Sequence, residues 1–256
     1  QFLGHIREVD AIAYVLRCFE DGDVTHVEGR IDPLADAEVV ETELMLADLE
    51  SLEKRRANIE KKAKSGDKES KAQVALMDKA LTLLRDGKPA RLAEIAPEEQ
   101  AAFDALQLLT AKPVLYVCNV DEGSAAQGNA HPKSVQERAE AEGAGCVVIS
   151  AKIESEFAGL PPEDRDEFLK DLGLDEPGLN KLIRAGYTLL DLVTYSTVVP
   201  QEARSWTLTR GTQAPQAPGL ILTDFAHGFR RATPHGSDRH VHLNRQPGAR
   251  HRTQLP

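Results

Sequence analysis

A polar tetrad, Asn119-Val120-Asp121-Glu122, follows directly after the apolar run Val-Leu-Tyr-Val-Cys near the middle of the chain. The Asn amide can donate and accept hydrogen bonds and the Glu carboxylate can accept them, so these two side chains can recognise the polar edge of a nucleobase. Ligands of open parallel sheets bind beyond the carboxyl ends of the strands, which is where this tetrad falls. Asn119 and Glu122 are therefore candidate base-binding residues, although a helix cap or a turn uses the same residue types.

A second motif, Ser150-Ala151-Lys152, follows the next apolar run along the chain. In guanine-binding P-loop proteins one strand ends in Asn-Lys-x-Asp and a later strand ends in Ser-Ala-Lys. The present chain keeps the order of the two motifs but departs from the first of them. Glu122 is one methylene longer than the Asp of that pattern, and Val120 replaces its Lys.

These departures bear on the choice between adenine and guanine. Adenine offers an N6 donor and an N1 acceptor, so a carboxylate directed at N1 is repelled, whereas Asn119 can still contact N6 and N7. An apolar Val120 against the face of the ring adds adhesion without discrimination. The two motifs therefore predict a site for ATP, with GTP as the weaker ligand.

The elements that must position these motifs are strands of a parallel sheet. Apolar runs at 11–19, 114–118 and 146–149 predict strands that are buried on both faces. A polar helical stretch at 131–143 lies between the second and third runs. Together they form a βαβ unit with a right-handed crossover, so the fold class is α/β.

Residues 36–109 have the spacing of long helices, with leucines three or four positions apart. We expect a helical hairpin inserted into the nucleotide-binding domain, which would then comprise 1–35 and 110–190. Ser65-Gly66-Asp67 marks the tip of the hairpin, and Gly87-Lys88-Pro89 interrupts the returning arm before a last helix at 97–109.

Basic residues cluster around the expected tip of this hairpin. One interpretation is a solvated helix surface on which nearby glutamates pair with them at i,i+4 spacing. The other interpretation is an arm whose basic side chains bind phosphate groups. The basic residues are Lys54, Arg55, Arg56, Lys61, Lys62, Lys64, Lys68 and Lys71, and the glutamates are Glu50, Glu53 and Glu60.

The chain changes character again after the nucleotide-binding domain. Short strand-like runs with Gly and Pro punctuation predict a small β-rich domain at 191–230. The segment 231–256 has no aromatic residue and few apolar ones, so it cannot form a core. We expect this tail to be disordered or to come from a shifted reading frame.

The composition limits the classes of partner. The 256 residues carry a net charge of −10, which disfavours indiscriminate binding to nucleic acid or to anionic lipid. We expect no membrane segment, no sequence-specific DNA binding and a cytoplasmic location. Cys18, Cys118 and Cys146 lie inside apolar runs without CxxC spacing, which predicts buried, reduced thiols and no metal centre.

Longer stretches of sequence resemble the YchF family, the ATP-preferring members of the Obg branch of P-loop NTPases. They include KPVLYVCNVDE, SAKIESE and FLKDLGLDEPGLNKLIRAGYTLLDLVTY. The resemblance runs from residue 1 to about residue 230. It implies that 36–109 is a coiled-coil insertion and that 191–230 is part of a TGS domain, which has a β-grasp fold. It also implies an ATPase, that is, a nucleoside-triphosphate hydrolase.

The same resemblance assigns roles to individual residues. Asn119, Val120 and Glu122 would recognise adenine, and Ser150, Ala151 and Lys152 would close over the base. His26, in the loop Asp-Gly-Asp-Val-Thr-His, matches a histidine that is proposed to assist hydrolysis in the family. A histidine can do so only within hydrogen-bond reach of the attacking water.

The phosphate-binding part of such an enzyme is missing from this sequence. No Gly-x-x-x-x-Gly-Lys-Ser loop occurs in the 256 residues, and the resemblance places the Mg²⁺ ligands upstream of Gln1, so we expect no metal site in this chain. We therefore expect ATP hydrolysis coupled to ribosome binding in the full-length relative, with this chain as a truncated portion. Two alternatives remain: an Obg-type GTPase that tolerates Glu122, and a non-catalytic module that binds the ribosome or its RNA.

Overall fold

The computed structural model describes residues 2–21, 31–126, 128–199 and 202–212, which belong to two compact units divided after Asp191. The helices within those ranges are α1 (Phe2–Glu8), α2 (Pro33–Lys64), α3 (Lys68–Arg85), α4 (Gln100–Asp104), α5 (Ala130–Glu142), α6 (Ala151–Gly159), α7 (Arg165–Asp171) and α8 (Gly178–Leu189). The strands are β1 (Ile12–Arg17), β2 (Val114–Asn119), β3 (Gly145–Ile149), β4 (Leu192–Val199) and β5 (Glu202–Thr209). None of these helices is both long and apolar enough to span a membrane.

The first unit is built on a parallel sheet in the order β1-β2-β3. Its central strand β2 is buried along 114–118, because helices cover both of its faces. That burial explains why the sequence of β2 is uniformly apolar and does not alternate. The three strands confirm the predicted runs, and α5 forms the expected connection between β2 and β3. Burial on both faces was predicted for all three strands but holds only for β2, since burial alternates along β1, with Val15 68% exposed, and β3 is half-buried. The fold class is therefore mixed α/β, as predicted.

Two long helices, α2 and α3, pack against each other as a hairpin. Each begins at an aspartate whose carboxylate caps the first turn: Asp32 accepts from Ala35 N at 3.1 Å, and Asp67 accepts from Ser70 N at 2.9 Å. Gly66 takes φ 100° in the turn between the helices, a conformation that glycine adopts without strain. The tip therefore lies where the sequence predicted it.

A buried carboxylate fixes the hairpin to the chain that leads into β2. Asp48 of α2 is fully buried, and its two oxygens accept from Leu109 N at 2.9 Å and from Thr110 N and Oγ1 at 2.8 Å each. Two turns of helix further on, Arg55 Nη1 donates to Leu106 O at 2.6 Å. These contacts hold 106–110 in an irregular path of turns, with Gln107 at φ 51°. The helix predicted at 97–109 is consequently wrong in extent, since only α4 forms there.

A second polar cluster joins the base of the hairpin to α5 and the sheet. Arg91 Nη2 contacts Glu41 Oε1 at 2.5 Å and Glu142 Oε2 at 3.0 Å, and Tyr116 of β2 donates its hydroxyl to Glu142 at 3.1 Å. Burial alone would raise the pKa of Glu142, but the hydrogen bonds from Arg138 and Arg91 outweigh it and lower that pKa. The cluster is a satisfied ionic network except at Arg91 Nε, which has no partner.

The second unit is described over β4 and β5, which pair as an antiparallel hairpin. The indole of Trp206 donates to Thr197 Oγ1 at 2.9 Å across the pair, and Ser196 and Ser205 hydroxyls lie 3.2 Å apart. The two strands confirm the β-rich beginning of this region. The segment 231–256 lies outside the described residues, so its predicted disorder or shifted frame stays a prediction.

We expect Asp48→Ala to lower the free energy of unfolding by about 3 kcal/mol, because the substitution leaves two backbone amides and one hydroxyl buried without an acceptor. Urea denaturation of the variant and of the wild-type chain measures the difference. Glu50→Ala is the matched control, since this carboxylate lies on the same helix but is exposed and pairs only with Lys54. The control should change stability by less than about 0.5 kcal/mol. A similar small change for both variants would show that Asp48 does not anchor the hairpin.

Candidate functional site

The ends of β2 and β3 bring the two polar motifs together. Asn119 and Ile149 are partners in the parallel register, and Val120 N donates to Ile149 O at 2.9 Å beyond the last paired residues. Ser150 follows β3 at once, and α6 begins at Ala151. The sheet thus places both motifs at its carboxyl edge, where the sequence predicted that they would meet.

Asn119 links the two motifs directly. Its side-chain Oδ1 accepts from Ala151 N at 2.9 Å, which fixes the orientation of the amide because a backbone N–H requires an acceptor. The Nδ2 group has no protein partner among the described residues. Asn119 is half-buried, so this donor group is the part of the side chain that remains available to a ligand.

A salt bridge makes the second link. Lys152 Nζ lies 2.9 Å from Glu122 Oε2, and both side chains are exposed, at 69% and 41% respectively. The Glu122 carboxylate, through this hydrogen bond and its charge, raises the pKa of Lys152 above its ordinary value of 10.5. Glu156 and Asp21 act on Lys152 in the same direction but more weakly. Nothing in the sequence motifs alone predicted that these two residues pair.

Two of the predicted site residues are buried beneath this edge. Val120 is 2% exposed and belongs to the core that packs against the sheet. The contact predicted between Val120 and the face of a base stays a prediction, and it would require exposure of this side chain. Ser150 is 3% exposed, and its Oγ has no hydrogen-bond partner among the residues that the structure describes. The two residues form the floor of the site.

Further residues that the sequence reasoning missed hold the surrounding loops in place. Asp121 accepts from Ser124 N and Oγ at 2.9 Å each, and the side-chain hydrogen bond from Ser124 lowers the pKa of Asp121. Asn129 caps α5 through His131 N and donates Nδ2 to Cys18 O at 2.7 Å, which ties this loop to the end of β1. An Asn directly before a predicted helix is an N-cap signal that could have identified Asn129.

Glu154 fixes the segment that follows Ser150-Ala151-Lys152. Its carboxylate accepts from Gly178 N at 2.6 Å and Leu179 N at 3.1 Å, at the beginning of α8. Gly178 is packed so closely that a Cβ there would lie 2.9 Å from both Glu154 and Ile149. Residues 175–178 have the sequence Asp-x-x-Gly and lead into α8, whose first backbone amides are capped by the Glu154 carboxylate.

His26 lies outside the described residues, so its role in hydrolysis stays a prediction. The three cysteines are free, with Cys18 and Cys118 buried and Cys146 half-buried. Within the part of the chain that is described, no group of three His, Cys, Asp or Glu side chains is arranged to hold a metal ion.

Comparison with known proteins decides the family. The chain is 45% identical to the ribosome-binding ATPase YchF of Haemophilus influenzae over 250 residues, which cover 98% of this chain and 69% of that protein. The chain belongs to the YchF family. It is also 47% identical over 232 residues to the Escherichia coli protein of the same name, and it spans 64% of the length of that relative.

A solved structure and a family model agree with this assignment. The Schizosaccharomyces pombe YchF GTPase matches with a TM-score of 0.78 and 34% identity, covering 89% of this chain and 62% of that one. The α/β unit with its parallel sheet thus has the fold of a YchF P-loop GTPase. The family model YchF-GTPase_C, described as a protein of unknown function (DUF933), matches residues 192–255. The division into domains at 36–109 and 191–230 stays a prediction.

We expect Asn119→Ala to accelerate hydrogen exchange of the Ala151 amide by about tenfold, because that exposed N–H loses its acceptor. Asn119→Asp should leave the exchange rate nearly unchanged, since a carboxylate oxygen can replace Oδ1. The measurement is amide exchange followed by mass spectrometry or NMR over 150–153. Asn58→Ala, an exposed substitution on α2, is the control. Equal exchange rates of the Ala151 amide in Asn119→Ala and wild type would show that the Asn119 side chain does not bind this amide.

Proposed function

We propose that the full-length protein binds a purine nucleoside triphosphate at the carboxyl edge of the sheet and hydrolyses it. The observation that carries this proposal is the contact of Asn119 with Ala151, because it assembles a base-recognition site from two separate loops and leaves Nδ2 free to donate to a ring nitrogen. The YchF relatives, named ATPase or GTPase, support the same reaction class.

ATP is the proposed nucleotide, and GTP is the weaker alternative. A site that keeps a guanine-type carboxylate directed at the base would bind guanine through its N1 and N2 donors. Glu122 instead engages Lys152, which leaves those donors without an acceptor. An unsatisfied donor costs more than the loss of one hydrogen bond, so guanine is disfavoured relative to adenine. The Obg-type GTPase remains the competing reading of the same residues.

The chain's own residues supply recognition of the base and closure of the site. Asn119 orients the ring edge, Ala151 and Lys152 lie over it, and Ser150 and Val120 form the floor below. His26 is the proposed group that positions the attacking water. The Mg²⁺ that such enzymes use would supply positive charge that offsets the charge of the phosphates. Its ligands, like the phosphate-binding loop, are proposed to lie upstream of Gln1.

Nucleotide competition tests this proposal on the full-length gene product, including any residues that precede Gln1 in its reading frame. We expect unlabelled ATP to displace a fluorescent ATP analogue at a lower concentration than GTP does. Asn119→Ala should weaken both nucleotides by about tenfold, because N7 is an acceptor in both purines. Asn58→Ala should leave both affinities unchanged. Equal affinity for ATP and GTP would contradict the adenine preference, and binding of neither would contradict the proposed function.

A second proposed function is binding to the ribosome or its RNA from the cytoplasm, through the hairpin and the proposed TGS domain. The relatives are named ribosome-binding ATPases. Several basic residues near the hairpin tip already have acidic or backbone partners, among them Lys54, Arg55, Arg56 and Lys64. In contrast, Lys61, Lys68 and Lys71 are exposed and have no hydrogen-bonded or ion-paired partner in the described part of the chain. These free ammonium groups suit a phosphate backbone.

Co-sedimentation with ribosomes tests the tip directly. We expect Lys61→Gln combined with Lys71→Gln to weaken binding by about fivefold and to reduce its salt dependence, because two phosphate contacts are lost. The matched control is Lys133→Gln with Lys170→Gln, which removes the same charge from exposed positions away from the hairpin. Equal weakening by both pairs would indicate a general charge effect. No weakening by either would exclude the tip as the ribosome-binding surface.

A further inference from the structure

The ion pair between Lys152 and Glu122 connects the two base-recognition loops. Recognition of a base by these loops does not by itself require this pair. We propose that Lys152 determines the purine specificity of the site by holding the Glu122 carboxylate away from the edge of the base. This inference rests on the proposed nucleotide site. It names the residue that sets the choice between adenine and guanine, which the motif alone left open.

Asn119 cannot make this choice by itself. Its Oδ1 accepts from Ala151 N, so the unsatisfied part of the amide is the Nδ2 donor. That donor suits N7, an acceptor in both adenine and guanine. Oδ1 retains a second lone pair, but the Ala151 amide fixes its direction, so Asn119 contributes affinity for purines in general. The discrimination must come from another group that contacts the Watson–Crick edge.

Glu122 is that group, because its ionised carboxylate only accepts hydrogen bonds. Guanine presents N1–H and N2–H₂ donors to a carboxylate, whereas adenine presents the N1 lone pair. A carboxylate placed at this edge therefore favours guanine, and one drawn away from it removes that preference. In the structure the Glu122 Oε2 atom is 2.9 Å from Lys152 Nζ, across the gap between the loops after β2 and β3.

The length and surroundings of the two side chains support this arrangement. The extra methylene of a glutamate, compared with an aspartate, lets the carboxylate extend to the loop after β3. The neighbouring Asp121 cannot substitute for it, since both of its oxygens accept from Ser124. Glu156 and Asp21 also attract Lys152, but the hydrogen-bonded partner is Glu122.

The pair is exposed, so its effect on specificity is moderate. Exposed ion pairs are weak because water and salt screen them. We therefore expect a change of about fivefold in the ratio of GTP to ATP affinity when the pair is broken. The same screening predicts that high salt raises that ratio in the wild-type protein.

The experiment measures dissociation constants of ATP and GTP for Lys152→Met and Lys152→Arg in the full-length gene product. Methionine keeps an apolar stem over the base but removes the charge, whereas arginine keeps the ion pair. We expect Lys152→Met to raise GTP affinity relative to ATP by about fivefold and to abolish the salt dependence of the ratio. Lys152→Arg should retain the wild-type ratio.

The same substitutions in a Glu122→Ala background show whether the effect passes through the carboxylate. We expect Lys152→Met to leave the ratio unchanged there. A fivefold change that persists without Glu122, or equal weakening of both nucleotides by Lys152→Met, would overturn the inference and leave the proposed function intact. A wild-type protein that binds neither nucleotide would instead overturn the proposed function, and this inference with it.

Discussion

The parallel pairing of β2 with β3 is the constraint on which the candidate site depends. Parallel strands end at the same edge of a sheet, so a residue that follows one strand meets a residue that follows its neighbour. Here the register sets Asn119 opposite Ile149, which brings the Asn119 amide within hydrogen-bond distance of Ala151 N. A shift of register by one residue would reverse which face each side chain occupies and would separate the two loops.

Buried polar contacts fix the position of the hairpin relative to the sheet. Asp48 and Glu41 lie on α2, yet each is satisfied by groups outside the hairpin, at Leu109 and Thr110 in one case and at Arg91 and Arg138 in the other. A buried carboxylate without partners is strongly unfavourable, so the hairpin cannot leave the sheet without breaking these contacts. Apolar packing alone would allow more positions, because it lacks direction.

The sequence was sufficient to predict those features of the fold that depend on local sequence pattern. Apolar runs identified the strands, although only β2 is buried along its length, and Ser65-Gly66-Asp67 identified the turn of the hairpin. The helix expected at 97–109 failed because Asp48, far away in sequence, captures the backbone amides of Leu109 and Thr110. The burial of Val120 could not be predicted either, since its position in a motif does not show which side of the strand end its side chain faces.

The candidate site shows the same limit of prediction from sequence, and the contacts within the site show its physical cause. Asn119, Glu122, Ala151 and Lys152 could be selected from motif spacing, but their mutual contacts depend on three-dimensional register. Those contacts join groups of the protein itself: Asn119 to Ala151, Glu122 to Lys152, and Glu154 to the start of α8. A base that enters such a site need not order the loops around it, so less of its binding free energy is lost to loop entropy. The hydrogen bonds that identify the site are thus also the ones that prepare it for a ligand.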